Sequence, residues 1–369
     1  MSRRPIRVLV VDDAVVIRRI VSDVLGEDPE IEIVGTAANG RIALQKITQV
    51  NPDILTLDVE MPEMDGLQTL RELRKTHPRL PVIMFSTLTE RGATATIEAL
   101  TCGASDYVTK PANIGSVGMA QQRLREELIP KIKSLCQVPA TVVPLRHLTP
   151  VTRASEAAPP LTATGMAGAI DVMAVGVSTG GPNALACVIP QLPAGLPVPI
   201  VLVQHMPPMF TKLLAERLNS QSALEILEAR GGEELTAGRV YIAPGDYHMV
   251  VQRKGLRIVT ALNQAPPENS CRPAVDVLFR SVCDVYGGRT LAVIMTGMGQ
   301  DGLRGCEDVK RCGGSVVVQD EASSVVWGMP GFVARAGLAD AVVPLAEIAS
   351  EVSRRIRGSH ARVSLAAAR

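Results

Sequence analysis

Two sets of side chains in this sequence have the types and positions to do chemistry. Asp12, Asp13, Asp58, Ser86 and Lys110 stand at the ends of short apolar runs in the first third of the chain. Ser178, His205 and Asp301 stand at the ends of such runs further on. Three carboxylates in one crevice repel each other unless a cation sits among them. All-oxygen ligands favour Mg²⁺, which keeps several waters and bridges to phosphate. A carboxylate on such a metal can attack a phosphoryl donor, with a hydroxyl and an ammonium holding the product's oxygens. Ser, His and Asp are the parts of an acyl-transfer triad, in which Ser attacks, His moves the proton and Asp fixes the tautomer. Each residue alone has a plainer use. Lone carboxylates are commonly solvated loop charges. The run Gly176-Val177-Ser178-Thr179-Gly180 fits the G-x-S-x-G pattern, but also a structural turn or an anion loop. A helix-entry histidine such as His205 is often structural, and an Asp in a glycine-rich turn often caps the next helix.

The surrounding elements decide whether these residues can meet. Runs at Arg7–Val11, Glu32–Ala37, Asp53–Asp58, Pro81–Ser86 and Asp106–Thr109 alternate with helical patterns. In the first of those patterns Ile17, Ile20, Val21, Val24 and Leu25 share one face before Gly26. Strict alternation predicts a (βα)5 domain over residues 1–135, with a parallel sheet and ligands at its carboxyl edge. The last helical stripe, Leu124 to Leu135, crosses Pro130, which must kink it or open a new helix. Residues 136–168 lose periodicity, are rich in Pro, Ala and Thr, and read as a flexible tether. Strands are again expected at Asp171–Val177, Pro199–Val203, Thr290–Met295 and Ser315–Gln319, each leading towards a helix or turn. The block RVYIAPGDYHMVV, the Lys254-Gly255 turn and LRIVTAL read as a hairpin. A second doubly wound, mainly parallel α/β domain with an inserted antiparallel hairpin is therefore expected over 169–357, and a disordered tail over 358–369. Ser178, His205 and Asp301 would then project from one sheet edge.

Composition narrows the class. The 369 residues are 46% hydrophobic and 20% charged, with 2% aromatic residues and a net charge of +1. Near-neutral charge and scarce aromatics argue against a nucleic-acid partner. The seven cysteines include no C-x-x-C pair, so reduced thiols and no zinc framework are expected. No run approaches the roughly 20 apolar residues of a spanning helix. A cytoplasmic protein, not inserted in membrane, is the expectation.

With VVDD, LDVEMPEMDG, MFST and YVTKP in order, the first domain resembles the response-regulator receiver family. The resemblance implies that Asp58 is the phosphoacceptor and that Asp12, Asp13 and Asp58 hold Mg²⁺. It makes Ser86 and Tyr107 the switch residues and Lys110 the phosphate contact. From Ile170 to Leu345, GVSTGGP, QHMP, VYIAPGDYHM, RPAVDVLFRS, TGMGQDG and QDEASSVVWGMP resemble the catalytic domain of chemotaxis protein-glutamate methylesterases. That implies Ser178 as nucleophile, His205 as base and Asp301 as its orienter, with Thr179 and Met298 in the oxyanion loop. His248 reads as structural or substrate-lining. Gln300 departs from the family's usual Asn and leaves the triad in place. The implied activity is hydrolysis of glutamate γ-methyl esters, and deamidation of glutamines, on methyl-accepting chemotaxis receptors. The implied phosphodonor is a chemotaxis histidine kinase, and no cofactor is implied for the catalytic domain. A tether transmits strain poorly, so control is expected from a direct contact of the Ser86–Tyr107 face with the Ser178–His205 crevice. Two other outputs fit less well. The spacing Gly176-x-x-x-Gly180-Gly181 lacks the G-x-G-x-x-G fingerprint and no Walker lysine follows it, which tells against a nucleotide-binding output, and a DNA-binding output lacks a helix-turn-helix unit and a basic charge.

Overall fold

The computed structural model describes residues 4–87, 89–110, 117–136 and 169–367. All but the first residue of the expected tether 136–168 lies outside them.

In the first domain the strands are β1 (Ile6–Val11), β2 (Ile31–Ala37), β3 (Ile54–Asp58), β4 (Val82–Ser86) and β5 (Asp106–Thr109). They pair in parallel in the order β2-β1-β3-β4-β5. The helices are α1 (Val15–Gly26), α2 (Gly40–Val50), α3 (Gly66–Thr76), α4 (Glu90–Thr101) and α5 (Val117–Cys136). Their starts are written locally: Asn39, Asp65 and Thr89 accept hydrogen bonds from the first-turn N–H groups of Ile42, Gln68 and Gly92. Asp65 and Gln68 close a reciprocal capping box. Pro130 lies inside a single helix and opens no new one. The strand order reverses between β1 and β3, which is where a doubly wound sheet leaves a crevice.

The second domain carries β6 (Val172–Val177), β7 (Ile200–Gln204), β8 (Glu225–Glu228), β9 (Arg239–Ile242), β10 (His248–Lys254), β11 (Arg257–Asn263), β12 (Thr290–Ile294), β13 (Ser315–Gln319) and β14 (Ala341–Val343). Its helices are α6 (Gly181–Val188), α7 (Phe210–Gln221), α8 (Val275–Tyr286), α9 (Leu303–Arg311), α10 (Met329–Arg335) and α11 (Leu345–Ala367). Seven strands form one parallel sheet, β14-β13-β12-β6-β7-β9-β8. The hairpin reading is half right. β10 and β11 form an antiparallel ribbon, but β9 joins the main sheet beside β7. Its fully buried Val240, Tyr241 and Ile242 need cover on both faces, which a two-stranded ribbon cannot supply.

The expected disordered tail is corrected too, because α11 runs past Gly358 to Ala367. Ser359 Oγ accepts from Ile170 N at 2.9 Å, and His360 Nε2 donates to Ile170 O at 2.8 Å. The helix end thus fastens the approach to β6. Gly358 cost the sequence reading this turn, although a single helical glycine is only about 1 kcal/mol worse than alanine.

One apolar cluster runs from the receiver through Ala93, Ile97, Leu100 and Tyr107 into Leu185, Phe210 and Leu214 of the second domain. Tyr107 stacks on Phe210 with ring centroids 4.8 Å apart and planes 9° from parallel. Beside the stack, Thr179 Oγ1 donates to Asp106 Oδ2 at 3.0 Å, and Asn183 Nδ2 to Ala104 O at 3.1 Å. Lys131 holds Asp106 from behind at 3.0 Å. Among the described residues no helix is long and apolar enough to cross a membrane.

Candidate functional site

The sheet order makes β12, β6 and β7 neighbours, so Ser178, His205 and Asp301 follow the carboxyl ends of three adjacent strands. β6 lies at the reversal of strand order, and the crevice opens there. Ser178 leaves β6 in a turn whose next residues are Thr179 and Gly180, the latter at φ +76°. A Cβ on Gly181 would lie 2.0 Å from Gln204 Oε1, so only glycine lets the turn close against β7. The turn is tied from three sides. Ser178 N donates to Thr296 O at 3.0 Å, Thr296 Oγ1 to Thr179 O at 2.9 Å, and Gln204 Nε2 to Ser178 O at 3.0 Å. Among the described residues the N–H groups of Thr179 and Met298 have no acceptor in the protein.

His205 Nε2 lies 2.8 Å from Asp301 Oδ2, with side-chain exposures of 13% and 3%. Asp301 is held by more than histidine. Its Oδ2 also accepts from Val275 N, and its Oδ1 from Asn269 Nδ2, Asp276 N and Gly302 N, at 2.7 to 3.1 Å. Burial alone would raise the Asp301 carboxyl, but His205 and these N–H donors hold it below the usual range. Burial alone would likewise lower His205, yet its bonds to Asp301 and Cys271 outweigh that and push it up to about 10. With Nε2–H committed to Asp301, Nδ1 is the nitrogen left to exchange a proton. Buried beside Asp301, Asp276 is pushed up to about 6 by its own burial and its neighbour's charge. Asn269 Nδ2 bridges the two carboxylates at 2.8 Å to each.

Five further residues touch this site. Gln204, Thr296 and Asp276 lie inside the QHMP, TGMGQDG and RPAVDVLFRS runs, which by themselves give them no role, whereas Asn269 and Cys271 lie outside any of these runs. Asn269 and Cys271 stand just ahead of the RPAVDVLFRS run, and their signal was position beside a motif. His248 is buried between Ala274 N at 3.2 Å and Pro266 O at 3.1 Å, a structural role.

In the first domain Asp12, Asp13 and Asp58 each bring a carboxylate oxygen within 4.8 Å of the others. Lys110 Nζ stands 2.8 Å from both Asp12 and Asp58. Burial, then the Asp12 charge, pushes Asp58 up to about 6, and burial also raises Asp12. Three carboxylates against the single ammonium of Lys110 leave negative charge in excess, and their hard oxygens suit a divalent cation, so this donor set fits Mg²⁺. The other two expected switch residues point elsewhere. Ser86 Oγ donates to Gly92 O at 3.0 Å, fastening the start of α4. Tyr107 packs against Phe210 in the second domain.

These features agree with comparison to known proteins. Residues 8–119 match the response regulator receiver domain, and residues 173–352 match CheB methylesterase. A protein of Trichodesmium erythraeum named protein-glutamate methylesterase/protein-glutamine glutaminase is 52% identical over 95% of this chain and 99% of its own. The chain belongs to this family. A Nocardioides methylesterase/glutaminase of the same name is 54% identical over 95% of both chains. The crystal structure of the Thermotoga maritima CheB methylesterase catalytic domain is 44% identical, covering 51% of this chain and 98% of that one, with a TM-score of 0.49. As a methylesterase/glutaminase with a receiver domain, this chain is a chemotaxis response regulator and a hydrolase.

Proposed function

We propose that Ser178, His205 and Asp301 hydrolyse glutamate γ-methyl esters, and deamidate glutamines, on chemoreceptors under control of Asp58. The observation that carries this reading is the His205–Asp301 bond of 2.8 Å beside the strand end that bears Ser178. Ser178 Oγ attacks the side-chain carbonyl as His205 takes its proton, and the oxyanion rests on the Thr179 and Met298 N–H groups. His205 returns that proton to the leaving oxygen, releasing methanol and an acyl-enzyme. Water then attacks with His205 as base, freeing a glutamate and restoring Ser178. With glutamine the same steps release ammonia, because only the leaving group differs.

On the receiver, Asp12, Asp13 and Asp58 would hold Mg²⁺, which neutralises charge on an incoming phosphoryl group. Asp58 accepts the phosphoryl from a chemotaxis kinase, and Lys110 is placed to hold its oxygens. The unphosphorylated receiver covers the crevice, since Asp106 grips the residue next to Ser178. Phosphorylation loosens that contact and admits the receptor helix.

The test is release of labelled methanol from methylated receptor. Ser178→Ala should lower turnover by about 10⁶-fold with circular dichroism unchanged. Near-normal turnover in that variant would remove Ser178 from the mechanism.

A further inference from the structure

Cys271 has no part in the proposed hydrolysis, yet its Sγ lies 3.6 Å from His205 Nδ1. Its position is imposed by the chain. Asn269 and Ser270 take consecutive left-handed conformations, φ 53° and 61°, and Asn269 is anchored to both Asp276 and Asp301. A sulfur, an imidazole nitrogen and a carboxylate oxygen thereby converge within 4.8 Å of one another. We infer that Cys271 and His205 form a site for a thiophilic divalent cation such as Zn²⁺, whose binding shuts the hydrolase.

The distances suit that ion. Zinc bonds sulfur at about 2.3 Å and imidazole nitrogen at about 2.0 Å, so a tetrahedral ion holds such a pair about 3.5 Å apart. The observed separation of 3.6 Å needs almost no movement. A zinc-bound histidine ordinarily gives its other ring N–H to a carboxylate, which fixes the tautomer and strengthens the ligand. Here His205 Nε2 is already bonded to Asp301 Oδ2 at 2.8 Å. Water fills the remaining positions on the crevice side. Binding displaces two protons, one from the Cys271 thiol and one from His205 Nδ1, and occupies the lone pair that must take the Ser178 proton. A Mg²⁺ ion is a poor rival, because a thiolate and an imidazole are soft ligands for it. The cation site rests on geometry alone, whereas its inhibitory consequence rests on the proposed triad.

Full-length protein titrated with ZnCl₂ against a colorimetric chelator should bind one tight equivalent, lost together with hydrolysis at the same zinc concentration. Co²⁺ in its place should give a thiolate-to-metal absorption band. Cys271→Ser should weaken zinc binding at least tenfold, in line with the roughly 10–100-fold effects of losing even an outer partner. It should also abolish the band, while Cys102→Ser should change neither. Should Cys271→Ser fold poorly, wild-type protein serves: bound zinc must shield Cys271 from iodoacetamide, read by mass spectrometry. Undiminished zinc affinity in Cys271→Ser, or alkylation of Cys271 unaffected by zinc, overturns the site. Tight binding at Cys271 without inhibition would leave the cation site standing and refute the role of His205 as base.

Discussion

At the scale of single residues, the proposed base and the carboxylate that orients it carry opposite displacements from their ordinary values. Hydrolysis needs His205 neutral, and its proton is held up to about 10. The rate should therefore keep climbing through neutral pH and well into the alkaline range, without levelling near the usual imidazole value of about 6.5. Asp301→Asn removes the carboxylate that retains the proton. That variant should titrate lower and lose about 10⁴-fold in turnover. A wild-type profile of turnover against pH that is flat above 7 would contradict the His205–Asp301 pairing. For Asp58, held up to about 6, the ionised form is the nucleophile. Labelling by a small phosphodonor should fail in excess chelator, because Mg²⁺ would lie against the same carboxylate, and Asp58→Ala should take no label. Label that persists in Asp58→Ala would place the acceptor elsewhere. These residues could be read from sequence because each closes an apolar run, and strand ends are where a parallel sheet exposes side chains to a crevice. Cys271 offered only its place beside a motif, because its partner His205 is 66 positions away and no pattern links them.

Among elements, the decisive contact is between two turns. Gly297, in the turn after β12, has its hypothetical Cβ 2.8 Å from Ser178 Cβ and 2.4 Å from Met329 Sδ. Gly297→Ala must push either the nucleophile or α10. A shift of about 1 Å at reacting atoms costs on the order of a hundredfold in rate. Steady-state kinetics on receptor should show that loss in kcat at a melting temperature that falls only slightly, and unchanged kcat would mean that Met329 gives way alone. Element type was legible wherever an apolar run had a clear period. Strand neighbours were not, since β12 reaches β6 from more than a hundred positions away, and only closure of the sheet makes them adjacent. β9 was misassigned for the same reason: its run continues into β10 by sequence, while its buried faces belong with β7.

At the scale of the whole molecule, the two domains meet through side chains that come from both. An aromatic pair is worth about 0.5–1.5 kcal/mol beyond the area it buries, so losing Phe210 should open the covered state several-fold. Phe210→Ala in the full-length protein should raise methanol release without any phosphodonor, and a phosphodonor should then add less than it does to wild type. A fragment beginning near Ala154 should match the phosphorylated whole. Fragment activity no higher than that of the unphosphorylated chain would mean that the receiver contributes contacts to catalysis. The expected face was right in placing Tyr107 at the contact, but Ser86 turns inward to α4. In a chain with only four Phe and four Tyr, a Phe opening the helix after His205 was a signal to be read.

The clasp of Ser359 and His360 on Ile170 has a consequence for how the catalytic fold can be recut. Its entry into the sheet and the late turns of its final helix are hydrogen-bonded to each other. A short loop could join those two ends, with new termini opened at the exposed Lys254-Gly255 tip of the ribbon, which is not part of the seven-stranded sheet. Such a circular permutant should keep its esterase. Trimming the chain before Ser359 instead removes both hydrogen bonds that hold Ile170 just ahead of the strand that leads to Ser178.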